Sequence, residues 1–276
     1  NSSSTLAATQ ALLRAIAYSN SSDDPSSGLS NNDRVIRFTL NDGGNTSGIS
    51  PTTREDAALS VTTDVTVNFT SVNDAPTLSF AVSGIWSEPL SGAAAPIQFV
   101  NSITVADIDG ESYNNGYVQI GFASYNAGDK ISIANGNGFA LSGSTLLLNG
   151  TAVGSIDSVN NGLAKDFRLN FSSSLVDDSV VQNLVRQVTY TSTSENPTLS
   201  ASMPTRTVTI TLNDGGNEGD SGGAKLASSS PAGANTFSLV AINDVPSVLG
   251  LDPINATTYI QNGIPVVIDS NAVLTD

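Results

Sequence analysis

Arg206-Thr207-Val208-Thr209-Ile210-Thr211-Leu212-Asn213-Asp214-Gly215-Gly216 decides how the chain is to be read. Val208, Ile210 and Leu212 alternate with threonines, the two-residue period of a strand with one buried face. β-Branched residues fill the run, and Asn-Asp-Gly-Gly ends it with turn chemistry. Runs of the same kind, rich in Val, Ile, Thr and Phe, recur between Gly, Asn, Asp and Ser clusters along all 276 residues. That pattern predicts an all-β sandwich with many turns.

Outward from this run, residues 77–81, 97–106, 118–122, 167–171, 188–191 and 236–241 also read as strands. Residues 146–153 read as a hairpin, with Asn149-Gly150 at the two positive-φ places of a type I′ turn. One segment changes period. Val181, Leu184, Val185 and Val188 fall at i, i+3, i+4 and i+7, and Asp177 or Asp178 stands ready to cap. The spacing predicts one short helix near 178–187, laid with its apolar stripe on the sandwich.

The composition narrows the chemistry. Ten Lys and Arg face 25 Asp and Glu, for a net charge of −15. No basic patch can form, so nucleic acid and anionic membrane surfaces are not expected partners. There is no cysteine and no histidine, which excludes disulfides, thiolate or imidazole metal sites and Ser-His-Asp catalysis. No apolar run is long enough for membrane insertion. Charged residues make up 13% and apolar ones 39%, unlike a disordered acidic chain. The sequence begins at Asn1 with no signal peptide, so it is expected to be a window on a longer product. With no disulfide and a surplus of carboxylates, a divalent cation is the expected staple.

The chain repeats itself. Gln10, Leu12, Leu13, Arg14, Ile16 and Tyr18 stand 172 residues before Gln182, Leu184, Val185, Arg186, Val188 and Tyr190. The same spacing joins Pro25 to Pro197, Arg34 to Arg206, and Leu40-Asn41-Asp42-Gly43-Gly44-Asn45 to Leu212-Asn213-Asp214-Gly215-Gly216-Asn217. Val72-Asn73-Asp74-Ala75-Pro76 recurs as Ile242-Asn243-Asp244-Val245-Pro246, and residues 96–107 recur at 265–276. A unit of about 170 residues is domain-sized. Residues 1–76 then read as the C-terminal half of one repeat, 77–246 as a complete repeat, and 247–276 as the opening strands of the next. The half-repeats are expected to leave core and strand edges bare unless something covers them.

Acidic groups gather at strand ends: the linker Asn73-Asp74, the loop Asp107-Ile108-Asp109-Gly110-Glu111, and the turn Asn213-Asp214-Gly215-Gly216. Calcium takes six to eight oxygens from carboxylates, amides and backbone carbonyls. An Asp-x-Asp pair on a turn aims two carboxylates at one point, and Glu88, before Pro89, can add a bidentate one. For Asn41-Asp42-Gly43-Gly44 alone, plain turn chemistry is the favoured reading.

The order of these motifs resembles cadherin repeats. It is closer still to the cadherin-like tandem repeats of giant bacterial surface and RTX-type adhesins. Those are similar in the Leu12-Leu13-Arg14-Ala15-Ile16-Ala17-Tyr18 segment, the Asp24-Pro25 or Asn196-Pro197 that follows, and the Leu-Asn-Asp-Gly-Gly turn. The resemblance covers essentially the whole chain. It implies tandem cadherin-like, Ig-like sandwiches with one short helix each, calcium at the junctions, and an extracellular cell-surface location. Carried over by motif, one junction uses Asn73, Asp74, Asp107, Asp109 and Asp214, with Asn115 as an amide ligand. The far end of the same repeat uses Glu88, Asn243 and Asp244. The Leu-Asp-Arg-Glu ligand motif of cadherins themselves has no match, and Gln261 takes the place of Glu88 in the next copy.

The expected function is a non-enzymatic, calcium-stiffened spacer in a surface adhesin, its partners being the neighbouring repeats. The alternatives are a fibre subunit completed by strands from identical chains, and a carbohydrate-binding module. The 6% aromatic content argues against sugar binding, and Trp86, the single Trp, reads as a packing residue. An Asp107/Asp109 glycosidase pair is disfavoured because the motif recurs in each copy. The recurring arginines, Arg14/Arg186 and Arg34/Arg206, read as surface or strand-edge ion pairs.

Overall fold

The computed structural model describes residues 5–22, 25, 33–44, 58–70, 72–110, 112–216, 223–229, 235–251 and 257–275. Glu111, Asp276, Asn45 and Asn217, all included in the motifs above, lie outside them.

The first segment holds α1 (Leu6–Ala15), β1 (Asp33–Asn41) and β2 (Ser60–Asn68). The central segment opens with β3 (Thr77–Val82), β4 (Ile85–Ser87), β5 (Ile97–Gln98), β6 (Val100–Ala106), β7 (Tyr117–Phe122) and β8 (Asp129–Ile133). It continues with β9 (Phe139–Ser142), β10 (Thr145–Leu148), β11 (Thr151–Asn161) and β12 (Phe167–Phe171). Then come α2 (Asp178–Val185), β13 (Val188–Ser192), β14 (Thr205–Asn213), β15 (Leu226–Ser229) and β16 (Thr236–Val240). The last segment pairs β17 (Ser247–Leu249) with β18 (Val273–Thr275).

Among the described residues the protein is all-β with two short helices. A nine-stranded sheet runs β4-β16-β14-β7-β12-β11-β10-β9, with β15 also paired to β14. A three-stranded sheet β5-β13-β8 and the antiparallel pair β3-β6 supply the other layer. One apolar cluster joins both, from Ile103 and Val105 on β6 and Ile131 on β8 to Val118 and Ile120 on β7 and Val208, Ile210 and Leu212 on β14. Aromatic edges lock its middle: Phe99 stacks on Phe237 at 5.0 Å, and Trp86 meets Tyr190 edge-on at 5.6 Å. Trp86 is thus a packing residue, as its sequence context suggested.

The expected elements appear where the periodicity put them. Asn149 and Gly150 both adopt positive φ between β10 and β11, as a type I′ turn requires. Asp177 caps α2 by accepting from the Val180 amide, and the helix buries Val181, Leu184 and Val185. The strands β2, β4, β8, β9 and β15 were not foreseen; all but the nine-residue β2 are five residues or fewer.

Arg206 corrects the expectation of a surface or edge ion pair. Its guanidinium and the Asp129 carboxylate are wholly buried and paired at 2.8 Å. Arg206 is in phase with Val208, Ile210 and Leu212, so the alternation that buries them carries it inward too. The charge is matched there. Arg206 also donates to the Pro197 carbonyl, while the Tyr190 hydroxyl and the Asn126 amide donate to Asp129. Burial, and then this hydrogen bond, push the Tyr190 phenol well above its usual range. Arg186 makes no ion pair among the described residues and instead donates to the Ile103 carbonyl.

Candidate metal centre

One end of the sandwich gathers the first acidic group. Thr77, which opens β3, pairs with Ala106, which closes β6, so the linker at 73–76 runs beside the loop at 107–110. Asn213, the end of β14, pairs with Tyr117, the start of β7, which brings the Asp214 turn to the same end. The backbones there approach closely: a Cβ on Gly215 would collide with the Asn114 carbonyl, and one on Gly116 with that of Asn213.

Each predicted residue has a place in this arrangement. Asp214 is fully buried; its Oδ1 accepts from the Gly216 and Lys225 amides and its Oδ2 from Asn73 Nδ2 at 2.9 Å. Asn73 is also buried, and its Nδ2 donates to the Gly223 carbonyl as well. Asp107 is buried, with one carboxylate oxygen accepting from the Asp109 amide at 3.3 Å. Asp109 in turn accepts from the Asp74 amide at 2.7 Å, which ties linker to loop. The Asp74 side chain itself is exposed. Asn115 is exposed at φ +66°, in the tight turn before Gly116. It has a turn-forming role there, and no contact puts its amide in the cluster.

Sequence reasoning gave Asp178 only a capping role, yet it belongs to this group. It is the first residue of α2, accepting from the Tyr113 hydroxyl at 2.6 Å and from the Asp107 amide at 3.3 Å. Burial and the charges of Asp109, Asp214 and Asp178 push the Asp107 carboxyl up to about 6. Burial, then Asp178, raise the Tyr113 phenol far above its usual range.

This crowd fits a cation on one further observation. Asn73 Oδ1 is buried without a hydrogen-bond partner among the described residues, on a side chain whose Nδ2 donates to the Asp214 carboxylate. The donors are all oxygen, which suits calcium or magnesium and not zinc or copper. Asn73, Asp107 and Asp109 are the candidate ligands at this end, but among the described residues only Glu88, Glu195 and Asp244 bring three carboxylates within 4.8 Å of one another.

The opposite end holds a second acidic group. Glu88, Glu195 and Asp244 place carboxylate oxygens within 4.8 Å of one another. Glu88 is buried, accepting from the Ile242 amide at 2.9 Å and donating its own amide to Val240. Asn243 is exposed and donates to the Asp244 carbonyl, outside the cluster. Glu195 was not singled out from sequence. The available signal was an acidic residue, Asp23, standing 172 positions earlier, just ahead of the recurring proline.

No family model matches this chain, and no curated protein does. Among solved structures, the crystal structure of AggA, the major subunit of aggregative adherence fimbriae type I from Escherichia coli, overlaps it at a TM-score of 0.27. The identity is 15%, covering 62% of this chain and 98% of that one. An overlap at that score carries no argument about either fold or function.

Proposed function

We propose that this chain is a spacer segment of a secreted bacterial cell-surface adhesin, built of cadherin-like sandwich repeats whose junctions are cross-linked by calcium. One observation carries the reading: a buried amide oxygen on a linker, Asn73 Oδ1, has no hydrogen-bond partner among the described residues, and burial with the charges of neighbouring carboxylates pushes the Asp107 carboxyl up at the same end of the sandwich. A doubly charged ion satisfies the oxygen and relieves the repulsion together. Because Asn73 precedes β3 and Asp107 follows β6, such an ion adds a cross-link between the linker and the end of the sandwich. The role is structural, since an acidic motif that recurs at each junction serves assembly better than turnover.

The test is a calcium titration of the whole chain followed by calorimetry and thermal melting. Calcium at 100 times its dissociation constant raises stability by about 2.7 kcal/mol, and chelator reverses it. Identical melting in calcium and in chelator would remove the reading. Asn73→Ala and Asp107→Asn each weaken binding without unfolding the sandwich.

A second reading, a self-associating fibre subunit, has its own support. Leu6, Leu12, Ile16, Val35, Val61 and Val65 are exposed in the first segment, and Ile268 and Leu274 in the last. Such apolar surface is unusual on a monomer. Light scattering that finds monomers at every calcium and protein concentration excludes it. Among the described residues, no helix is long and apolar enough to cross a membrane.

A further inference from the structure

The repeat shows what the exposed face of the first segment is shaped to receive. In the central segment β14 is paired on both edges, to β15 and β16 on one side and to β7 on the other. Its counterpart β1 pairs only with β2 among the described residues. In β14 the Thr207 carbonyl accepts from Ala123, next to β7, whereas the Val208 amide donates to Asn235 on the other side. By the same alternation, Val35, Arg37 and Thr39 turn their backbone groups to the open edge of β1.

The side chains match the backbone. Leu12, Leu13, Ile16 and Tyr18 are exposed, while Leu184, Val185, Val188 and Tyr190, 172 residues later, are fully buried. Arg34 is exposed over the Phe69 ring at 5.6 Å, with no carboxylate paired to it among the described residues. Its counterpart Arg206 is buried against Asp129. Asp129 opens β8, and no strand among the described residues of the first segment is its equivalent.

We propose that α1, the open edge of β1 and Arg34 form a docking surface for a β-segment of this chain's own repeat type, homologous to residues 77–172. The occupant adds a strand equivalent to β7 along β1, as in strand addition generally. It lays an aspartate equivalent to Asp129 against Arg34 and covers α1 with the counterpart of β6. The inference rests on the repeat and is independent of the metal. A second intact copy of the chain is a poor occupant, because its own residues 77–172 are already committed to its own β13, β14 and α2.

The experiment adds a copy of residues 77–172 ahead of Asn1 of the full chain. Ser172 then joins Asn1 as it joins Ser173, its counterpart 172 positions on. Amide hydrogen exchange is read in chelator, so that failure of the calcium reading leaves the result untouched. Exchange at Val35, Arg37 and Thr39 is expected to slow by about 100-fold or more relative to the original chain. Asp129→Asn made only in the added segment, combined with Arg34→Ala, is expected to be non-additive. Unchanged exchange overturns the proposal, as does an added segment that stays unprotected throughout. Additive variants overturn the Arg34 pairing. Protection in the original chain that grows with its concentration also overturns the proposal, because a second copy is then the occupant.

Discussion

The first segment and the second half of the central one are two settings of closely related text, and they differ in what their partners supply. α1 forms without a single buried residue, capped by Thr5, whereas α2 buries three. β1 and β2 form an unbroken nine-pair ladder from Asp33↔Asn68 to Asn41↔Ser60. Residues 16–20, however, are irregular, while their counterparts form β13 between β5 and β8. A helix and a hairpin close their own hydrogen bonds and need only local sequence. An isolated strand closes none, so residues 16–20 become a strand only when strands on either side receive them.

The buried arginine gives the sharpest contrast. Arg206→Ala leaves the Asp129 carboxylate buried and unpaired, a loss of about 3–5 kcal/mol. Arg34→Ala, at the matched position, shifts stability by no more than about 0.5 kcal/mol. Denaturant midpoints of the two variants measure the difference, and equal shifts would break the comparison.

Asp107 and Asp42 oppose each other in pH. In chelator, the folded pKa of Asp107 lies near 6 against an ordinary 3.8, so the fold favours its protonated form. The stability this contributes is full below about 4 and is lost as pH rises through 6. Asp42 is held below its ordinary value by the Gly44 and Leu59 amides, so its contribution is present at neutral pH and lost on acidification. Asp107→Asn should flatten the neutral-side decline seen in pH-dependent melts, and Asp42→Asn should leave that decline intact. Calcium suppresses the Asp107 slope if it occupies the proposed centre.

The glycines of the two turns come next. Gly43 and Gly215 share positive φ, at +75° and +92°. A Cβ at Gly43 meets nothing within 4 Å, whereas at Gly215 it strikes the Asn114 backbone. Gly43→Ala therefore carries only the conformational penalty, about 1–2 kcal/mol, and that locally. Gly215→Ala adds a backbone displacement that also moves Asp214 and Asn73. A thermal shift that is larger for Gly215→Ala supports the close approach, and equal shifts would reduce it to turn conformation alone.

The fold was legible wherever a period ran long enough. β14, β12, α2 and the Asn149-Gly150 hairpin all follow from spacing and turn residues. β4, with three residues, and β8, with five and only two apolar ones, did not carry enough pattern. Arg206 was misread because charge was weighed above phase, although its position in the alternation marked it as inward. In the candidate site, Asp107, Asp109, Asp214 and Asn73 were visible as recurring strand-end acids and amides. Asp178 and Glu195 were not, because tertiary packing brings them in: Asp178 through its bond to Tyr113, Glu195 by lying opposite Glu88. Asn115 and Asn243 matched a ligand pattern in sequence, yet both side chains face solvent.

The helix caps provide the smallest and most local test. Thr5 Oγ1 accepts from the Ala8 amide at 3.2 Å, and Asp177 Oδ1 from the Val180 amide at 2.8 Å. Removing either cap weakens its helix by about 1 kcal/mol. The global readout should nevertheless differ. α2 is locked to the core through Val181, Leu184 and Val185, so fraying its first turn also loosens Asp178 and through it Tyr113 and the Asp107 amide. Asp177→Ala therefore lowers the main unfolding transition by the full cap energy and, if calcium occupies the proposed centre, weakens its binding. α1 is anchored by no buried residue, so Thr5→Ala melts its helix as a separate, low-stability event. Far-UV circular dichroism would show a small loss of helix with an unmoved main transition. A main transition that shifts equally for both caps would mean that α1 is already packed in solution, on the face argued above to be open.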